Sequence, residues 1–277
     1  MGVKTVLVGT ASFGGAALAI IAGPCAIESP DLVLRTATKL AALCQARRLP
    51  FVFKSSYKKA NRSSLGSYTG PGLDEGLAAL ARVHKEVGVP VLTDVHEPGE
   101  ASSVAEVVDC LQIPAFLSRQ TDLLAACART GKVVNVKKGQ FLAPDDMQQV
   151  VEKLERSGAS GILLTERGTT FGHHDLVVDF RGLVVMRDTG WPVVYDATHS
   201  LQHPGGGVTG GDRRFAAPLA LAAVAAGVDA LFFETHPDPE RALSDAATQI
   251  PLDQVEQLLD QAMRVREAVA ERVSAKA

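Results

Sequence analysis

Cys25, His199, Glu234 and Asp245 offer sulfur, nitrogen and oxygen donors. That mixture suits a divalent transition ion such as Zn, Fe or Mn. A lone cysteine also serves as a small buried hydrophobe, so spacing alone leaves both readings of Cys25 open. A second group is cationic: Lys54, Lys59, Arg62, Arg119, Lys137, Lys138 and Arg167. Arginine gives anions bidentate contacts and lysine gives them a point charge, so this set around one cavity calls for a phosphorylated or polycarboxylate ligand. Taken singly, each is equally well a solvated rim charge. Asp94 and His96 can orient the chemical groups or form a plain structural pair. His199 and His203 have helical spacing, but Pro204 and Gly205–Gly207 follow, which puts the pair in a loop. The segment Gly205–Gly211 reads as a lid or as an ordinary surface loop.

These residues are positioned by short apolar runs alternating with helical stretches. The strand candidates are Leu18–Ala22, Phe51–Lys54, Pro90–Thr93, Cys110–Ile113, Val133–Val136, Gly161–Thr165, Val193–Tyr195 and Ala230–Phe233. None alternates polar with apolar, as expected of parallel strands covered on both faces. Leu32–Arg47, Gly72–Glu86 and Leu252–Val273 have the helical period, whereas Asp179–Thr189 is mixed. Every strand candidate runs into polar or ionisable residues at its C-terminal end, while the N-terminal ends are bland. A closed (β/α)8 TIM barrel carries its chemistry at that end. The rival, an open doubly wound sheet, has a G-x-G-x-x-G fingerprint after its first strand, and none follows Leu18–Ala22. With no linker and no break in composition, residues 1–277 read as a single barrel domain. Thr5–Val8 and Ala16–Ala22 flank a glycine-rich turn, so 1–17 reads as an N-terminal β-hairpin extension.

The chain has 277 residues, within reach of the ~250 residues typical of one α/β barrel. Its formal net charge of −3 gives no basis for binding nucleic acid or a membrane surface, so an anion must meet local cations. Four scattered cysteines with no C-x-x-C pair read as thiols of a reducing compartment rather than a disulfide framework. The apolar start is broken by Gly9, Gly14 and Gly15 and lacks a polar cleavage region, so it is not expected to be a signal peptide. A cytoplasmic location is expected.

Longer motifs narrow the reading. Ala22-Gly-Pro-Cys-Ala-Ile-Glu-Ser29, Lys59-Ala-Asn-Arg-Ser-Ser64, Gln112-Ile-Pro-Ala-Phe-Leu117 and Arg119-Gln-Thr-Asp122 are joined by Asn135-Val-Lys-Lys-Gly-Gln-Phe141, Thr165-Glu-Arg-Gly168, Asp196-Ala-Thr-His199 and Glu234-Thr-His-Pro237. In this order along nearly the whole chain, they resemble the 3-deoxy-manno-octulosonate-8-phosphate (Kdo-8-phosphate) synthases. The resemblance implies condensation of phosphoenolpyruvate with arabinose 5-phosphate for lipopolysaccharide synthesis, by a homotetramer of barrels. It implies phosphoenolpyruvate contacts at Lys54, Lys59, Gln112, Ala115, Lys137 and Arg167. Asn61, Arg62 and Ser63 would contact the aldose phosphate, and Arg119 would reach a phosphate in a neighbouring subunit. Cys25, His199, Glu234 and Asp245 match the metal ligands, and Cys25 stands where a metal-independent branch has Asn. Cys25, Lys59, Lys137 and His199 are the expected catalytic residues.

The pattern is not uniform. Lys58 stands where the family has an acidic residue, Thr69 where it has Arg, and His173-His174 replaces Tyr-Asn or Tyr-Asp. Two other readings are a sister synthase using erythrose 4-phosphate, which would carry a Lys-Pro-Arg-Thr segment in place of Lys59–Ser64, and a non-catalytic barrel.

Overall fold

The computed structural model describes residues 2–62, 64, 66–203 and 210–274. Among them, eight strands form a parallel ring: β1 (Ala19–Gly23), β2 (Phe51–Lys54), β3 (Val91–Asp94), β4 (Cys110–Ile113), β5 (Val133–Lys137), β6 (Gly161–Glu166), β7 (Val193–Asp196) and β8 (Ala230–His236). Each pairs with its neighbour in the chain. The ring closes where β8 pairs with β1, from Ala230↔Ala19 to Glu234↔Gly23. All residues of these strands are buried, as required when helices cover the outside and side chains fill the inside. The expected barrel is therefore present. Six strands run one to three residues beyond their predicted ends, to Gly23, Asp94, Lys137, Glu166, Asp196 and His236. The polar residues there are the last rungs of the ladder, not loop residues.

The outer helices are α1 (Pro30–Ala46), α2 (Leu73–Val87), α3 (Ala101–Ala105), α4 (Thr121–Arg129), α5 (Met147–Arg156), α6 (Arg181–Arg187), α7 (Ala216–Ala226) and α8 (Val255–Ser274). α1 begins two residues earlier than its apolar period suggests, because the Ser29 hydroxyl accepts from Leu32 N and Pro30 suits a first turn that needs no donor. The mixed segment Asp179–Thr189 contains the short α6, whose start is held by the Asp179 carboxylate accepting from Arg181 N. α8 starts later than predicted because Ile250–Pro251 first adds a short parallel strand beside Thr235 and His236.

The N-terminal hairpin is tighter than the sequence reading. Val6–Val8 pairs with Ala11–Phe13, not with the run Ala16–Ala22, most of which belongs to β1. Gly9 turns the chain at φ +55°, and a Cβ there would crowd Pro90. Val6, Val8, Ala11 and Phe13 are buried under the barrel. Val6 packs so closely on Gly161 that a Cβ at that glycine would crowd it. The hairpin thus covers the N-terminal end of the barrel, opposite the polar strand tips. No helix among the described residues is long and apolar enough to cross a membrane.

Candidate active site

A cleft opens at the C-terminal ends of the strands, the end of a barrel that carries its chemistry. Lys54, Lys59, Asn61, Asp94, His96, Gln112, Ala115, Lys137, Arg167 and His199 line it. Lys54, Lys137 and Arg167 are each no more than 5% exposed, so these charges require partners. Lys54 Nζ donates to Glu234 Oε1 at 2.7 Å and to the carbonyl of Cys25 at 3.2 Å. Lys59 Nζ lies 3.6 Å from the same Glu234 oxygen. Lys137 Nζ donates to Asp196 Oδ2 and sits 3.5 Å from the centre of the Phe232 ring. Arg167 is the exception: Nη2 donates to Gln202 Oε1 at 2.8 Å, while Nη1 is buried with no partner. Among the described residues, no carboxylate lies within 4 Å of Arg167. A buried guanidinium that lines the cleft and keeps an idle donor is arranged to receive an anion.

A hydrogen-bonded chain supports these cations from inside the ring. The Ser56 hydroxyl and Gln112 Nε2 both donate to the Asp94 carboxylate. Asn135 Nδ2 donates to Gln112 Oε1 at 2.9 Å, and Thr165 Oγ1 to Asn135 Oδ1 at 2.6 Å. Burial opposes ionisation of Asp94, but Lys54 and Lys59 outweigh it and hold its carboxyl well below the usual range. Glu234 behaves likewise: burial opposes, Lys54 and Lys59 prevail, and the carboxyl is held low. Burial pulls the Lys137 ammonium below its ordinary value, with Asp196 opposing. Burial also lowers His96, which lines the cleft and whose Nδ1 has no hydrogen-bond partner, although Glu100 Oε2 lies 3.9 Å away. The negative charge on Asp94, Glu234 and Asp196 is thus matched to the cleft lysines, and Arg167 is left over.

Beside the cleft lies the donor group. Cys25, Glu234 and Asp245 present ligand atoms all within 4.8 Å of one another. The Gly23-Pro24 turn brings Cys25 in: a Cβ on Gly23 would overlap the Lys54 carbonyl, so only glycine lets the two strands approach there. Asp245 sits at φ +49° in the loop after β8, a backbone region where short polar side chains are tolerated. Its Oδ2 accepts from Cys25 Sγ at 2.9 Å, and its Oδ1 from Gln202 Nε2 at 3.1 Å. His199 is outside this trio, but its Nε2 is 3.7 Å from Glu234 Oε1. Asp196 Oδ2 contacts His199 Nδ1 at 2.8 Å. That contact leaves Nε2 available as a ligand, an arrangement recurrent at metal-binding histidines.

The residues fit a metal on two grounds. The donors combine one thiol, two carboxylates and an imidazole, and Glu234 Oε2 is buried with no hydrogen-bond partner. Burial first, then the Asp245 and Glu234 charges, push the Cys25 thiol well above its ordinary value. A cation would relieve that repulsion.

Three of the cations grouped in the sequence, Lys138, Arg119 and Arg62, are not among the residues lining the cleft. Lys138 does not face the cleft. Its ammonium turns under the loop, donating to the carbonyls of Gly139 and Leu142 and to Thr169 Oγ1 and lying 3.6 Å from Glu166 Oε1. Neighbouring residues along an extended chain face opposite ways, so Lys137 and Lys138 cannot both point inward. Arg119 lines a separate outer depression with Asp146, Gln149 and Lys153. Arg62 lies beside the metal-site loop, donating to Ser244 Oγ and to the Tyr68 carbonyl. Ser63 and 205–209 of the glycine-rich segment lie outside the described residues, whereas Gly210–Gly211 pairs with Gln202–His203.

Sequence reasoning assigned no role to Asp196, Gln202, Ser244 or Gln249. Asp196 ends a strand and was within reach of the strand-tip rule. Gln249 Oε1 accepts from Cys25 N at 3.2 Å, and its Nε2 donates to the Ser244 carbonyl at 2.8 Å. Ser244 Oγ lies 2.8 Å from Cys25 Sγ.

Lys138→Met tests the structural role of that ammonium. It is expected to cost about 3 kcal/mol by leaving the buried Glu166 without its cation. Burial already raises the Glu166 carboxyl above its ordinary value, so its proton is held more firmly in the folded state. Stability then falls as pH rises through that window, and the variant's deficit should be larger at pH 8 than at pH 5 in urea unfolding.

Comparison with known proteins agrees with this architecture. The profile described as "DAHP synthetase I family" matches residues 5–271. The chain belongs to that family. Curated relatives of this DAHP synthetase I family protein include a 2-dehydro-3-deoxyphosphooctonate aldolase from Cyanothece sp., 57% identical over 92% of this chain and 94% of the relative. Those of Synechococcus sp. (56%; 95% of this chain, 93% of the relative) and Acidithiobacillus ferrooxidans (58%; 87% and 86%) carry the same name.

Proposed function

We propose that this chain condenses phosphoenolpyruvate with D-arabinose 5-phosphate and water, giving 3-deoxy-D-manno-octulosonate 8-phosphate and inorganic phosphate. The observation that carries the reading is the cleft at the strand tips, where Lys54, Lys137 and Arg167 are buried and Arg167 keeps an idle donor. The relatives' name, an aldolase of an eight-carbon phosphorylated keto acid, supports this substrate pair over erythrose 4-phosphate. The retained cations and donors support an enzyme over a non-catalytic barrel.

In this reading Lys137 and Arg167 hold the carboxylate and phosphate of phosphoenolpyruvate, with Lys54, Gln112 and Ala115 completing its seat. Asn61, Arg62 and Ser63 hold the aldose phosphate. C3 of the enol forms a bond to the aldehyde carbon. The aldehyde oxygen takes a proton, for which Lys59, lining the cleft, is the candidate acid. Positive charge develops at C2, where water adds and gives up a proton. The resulting hemiketal phosphate breaks the C2–O bond to its phosphate, the C2 hydroxyl proton passes to the departing phosphate, and the ketone is left. Fixed cations at the departing phosphate act without reorganising during the reaction. A Zn, Fe or Mn ion held by Cys25, His199, Glu234 and Asp245 would supply Lewis acidity beside the aldehyde. Asp196, ionised and paired to both Lys137 and His199, keeps those two side chains in place.

On the same reading, residues 1–277 are one barrel domain with 1–17 as its hairpin extension. The enzyme works in the cytoplasm as a homotetramer and serves lipopolysaccharide synthesis. The outer position of Arg119 is compatible with its reaching a neighbouring subunit's phosphate.

The test is phosphate release by purified protein. Release should require both phosphoenolpyruvate and arabinose 5-phosphate, stop after chelation and return when Zn, Fe or Mn is added back. Release from phosphoenolpyruvate alone, or none under any condition, would remove the synthase reading. Full activity in chelator would remove the metal from it.

A further inference from the structure

Gln202 joins the two halves of the site. Its Oε1 accepts from Arg167 Nη2 at 2.8 Å, and its Nε2 donates to Asp245 Oδ1 at 3.1 Å. The orientation of the amide is fixed by chemistry, because a guanidinium can only donate and a carboxylate can only accept. The other Asp245 oxygen accepts from Cys25 Sγ and Ser244 Oγ, so Gln202 sets the plane of that carboxylate. At its other end it fixes which Arg167 nitrogen stays free for an anion, namely Nη1.

The backbone of Gln202 is held as firmly as its side chain. Gln202–His203 pairs antiparallel with Gly210–Gly211. A Cβ on Gly211 would overlap the Thr248 side chain and crowd the Leu201 carbonyl, so this ribbon lies flush against the loop that carries Asp245. Thr248 N and Gln249 N both donate to the Asp245 carbonyl at 3.1 Å. Moving Asp245 therefore moves Gln202, and moving Gln202 shifts Arg167.

The geometry points to Gln202 as a positioning residue that couples the two sites: metal loading at Asp245 prepares Arg167 for the phosphate of phosphoenolpyruvate, and phosphate binding in turn tightens the metal. This rests on the proposed function. Coupling of this kind is reciprocal and typically changes affinity about 5–150-fold.

The experiment measures phosphoenolpyruvate binding by calorimetry on chelated and metal-loaded protein, for the natural chain and for Gln202→Met, which keeps length and bulk but forms neither hydrogen bond. The natural chain should bind phosphoenolpyruvate at least about fivefold more tightly when metal-loaded, and in Gln202→Met the ratio should fall to near one. Cobalt(II) titration, read at the thiolate-to-metal absorption band, should show metal affinity about 10–100-fold weaker in the variant, the usual cost of removing a partner of a metal ligand. If Gln202→Met fails to fold, Gln202→Asn, one methylene too short to reach both partners, should give the same losses. An unchanged ratio or an unchanged cobalt affinity in the variant would overturn the inference. So would a ratio near one in the natural chain, or loss of binding in both metal states of the variant, which would make Gln202 a direct ligand contact. Absence of phosphoenolpyruvate binding by the natural chain in every state would instead overturn the proposed function itself.

Discussion

Lys137→Met is expected to lower kcat/KM by roughly a hundredfold to a thousandfold, the usual cost of removing one fixed stabiliser of developing charge. Lys137 is 4% exposed and ends β5 at the centre of the cleft, between Asp196 and the face of Phe232. Its removal acts twice. The bound anion loses a cation in a region where water cannot replace it, and the fully buried Asp196 retains only His199 and backbone donors. Burial opposes ionisation of Asp196, while His199 and Lys137 hold its carboxyl far below the ordinary range. Its proton is therefore lost in the folded state before it would be lost in the unfolded one. The stability this contributes is complete above the ordinary carboxyl value and fades as pH falls below it. Part of that contribution disappears in Lys137→Met, so urea unfolding at neutral pH should show a deficit that narrows in acid. Lys137→Arg, which keeps the charge but not the shape, should restore stability more fully than turnover. Kinetics within tenfold of the natural chain for Lys137→Met would remove Lys137 from the anion site.

The second large effect is expected at Cys25. Cys25→Ala should weaken metal binding by more than the roughly 10–100-fold that loss of an outer partner costs, because it removes a ligand atom itself. It should also abolish metal-induced stabilisation. A metal present at a hundred times its dissociation constant stabilises the natural chain by about 2.7 kcal/mol, visible as a rise in Tm. The same metal concentration should leave the Tm of Cys25→Ala nearly unchanged. The other three cysteines, Cys44, Cys110 and Cys127, are buried away from any ligand group among the described residues and should not substitute for it. A Tm rise of the same size in Cys25→Ala would exclude the thiol as a ligand.

Much of this site is legible in the sequence, for a geometric reason. A closed parallel ring brings all strand tips to one end, so residues distant in sequence, such as Lys54, Asp94, Lys137 and Glu234, must converge there. What was not legible depends on loops. Gln202, Ser244 and Gln249 act through contacts between segments with no periodic relation to a strand, and no spacing rule reaches them. Lys138 follows a strand tip, but the two-residue alternation turns it away from the face that Lys137 presents to the cleft. The second arm of the hairpin is Ala11–Phe13, although Ala16–Ala22 is the more apolar run. Its apolarity serves β1, while the two-residue turn at Gly9–Thr10 pairs the nearer Ala11–Phe13.

The central claim is the identity of the bond made, and one competition tests it. Metal-loaded protein is given phosphoenolpyruvate with equal amounts of arabinose 5-phosphate and erythrose 4-phosphate, and the products are weighed by mass spectrometry. The account predicts that the eight-carbon phosphorylated keto acid dominates and that its amount equals the phosphate released. A seven-carbon product in equal or greater amount, or phosphate released with neither product formed, would contradict it.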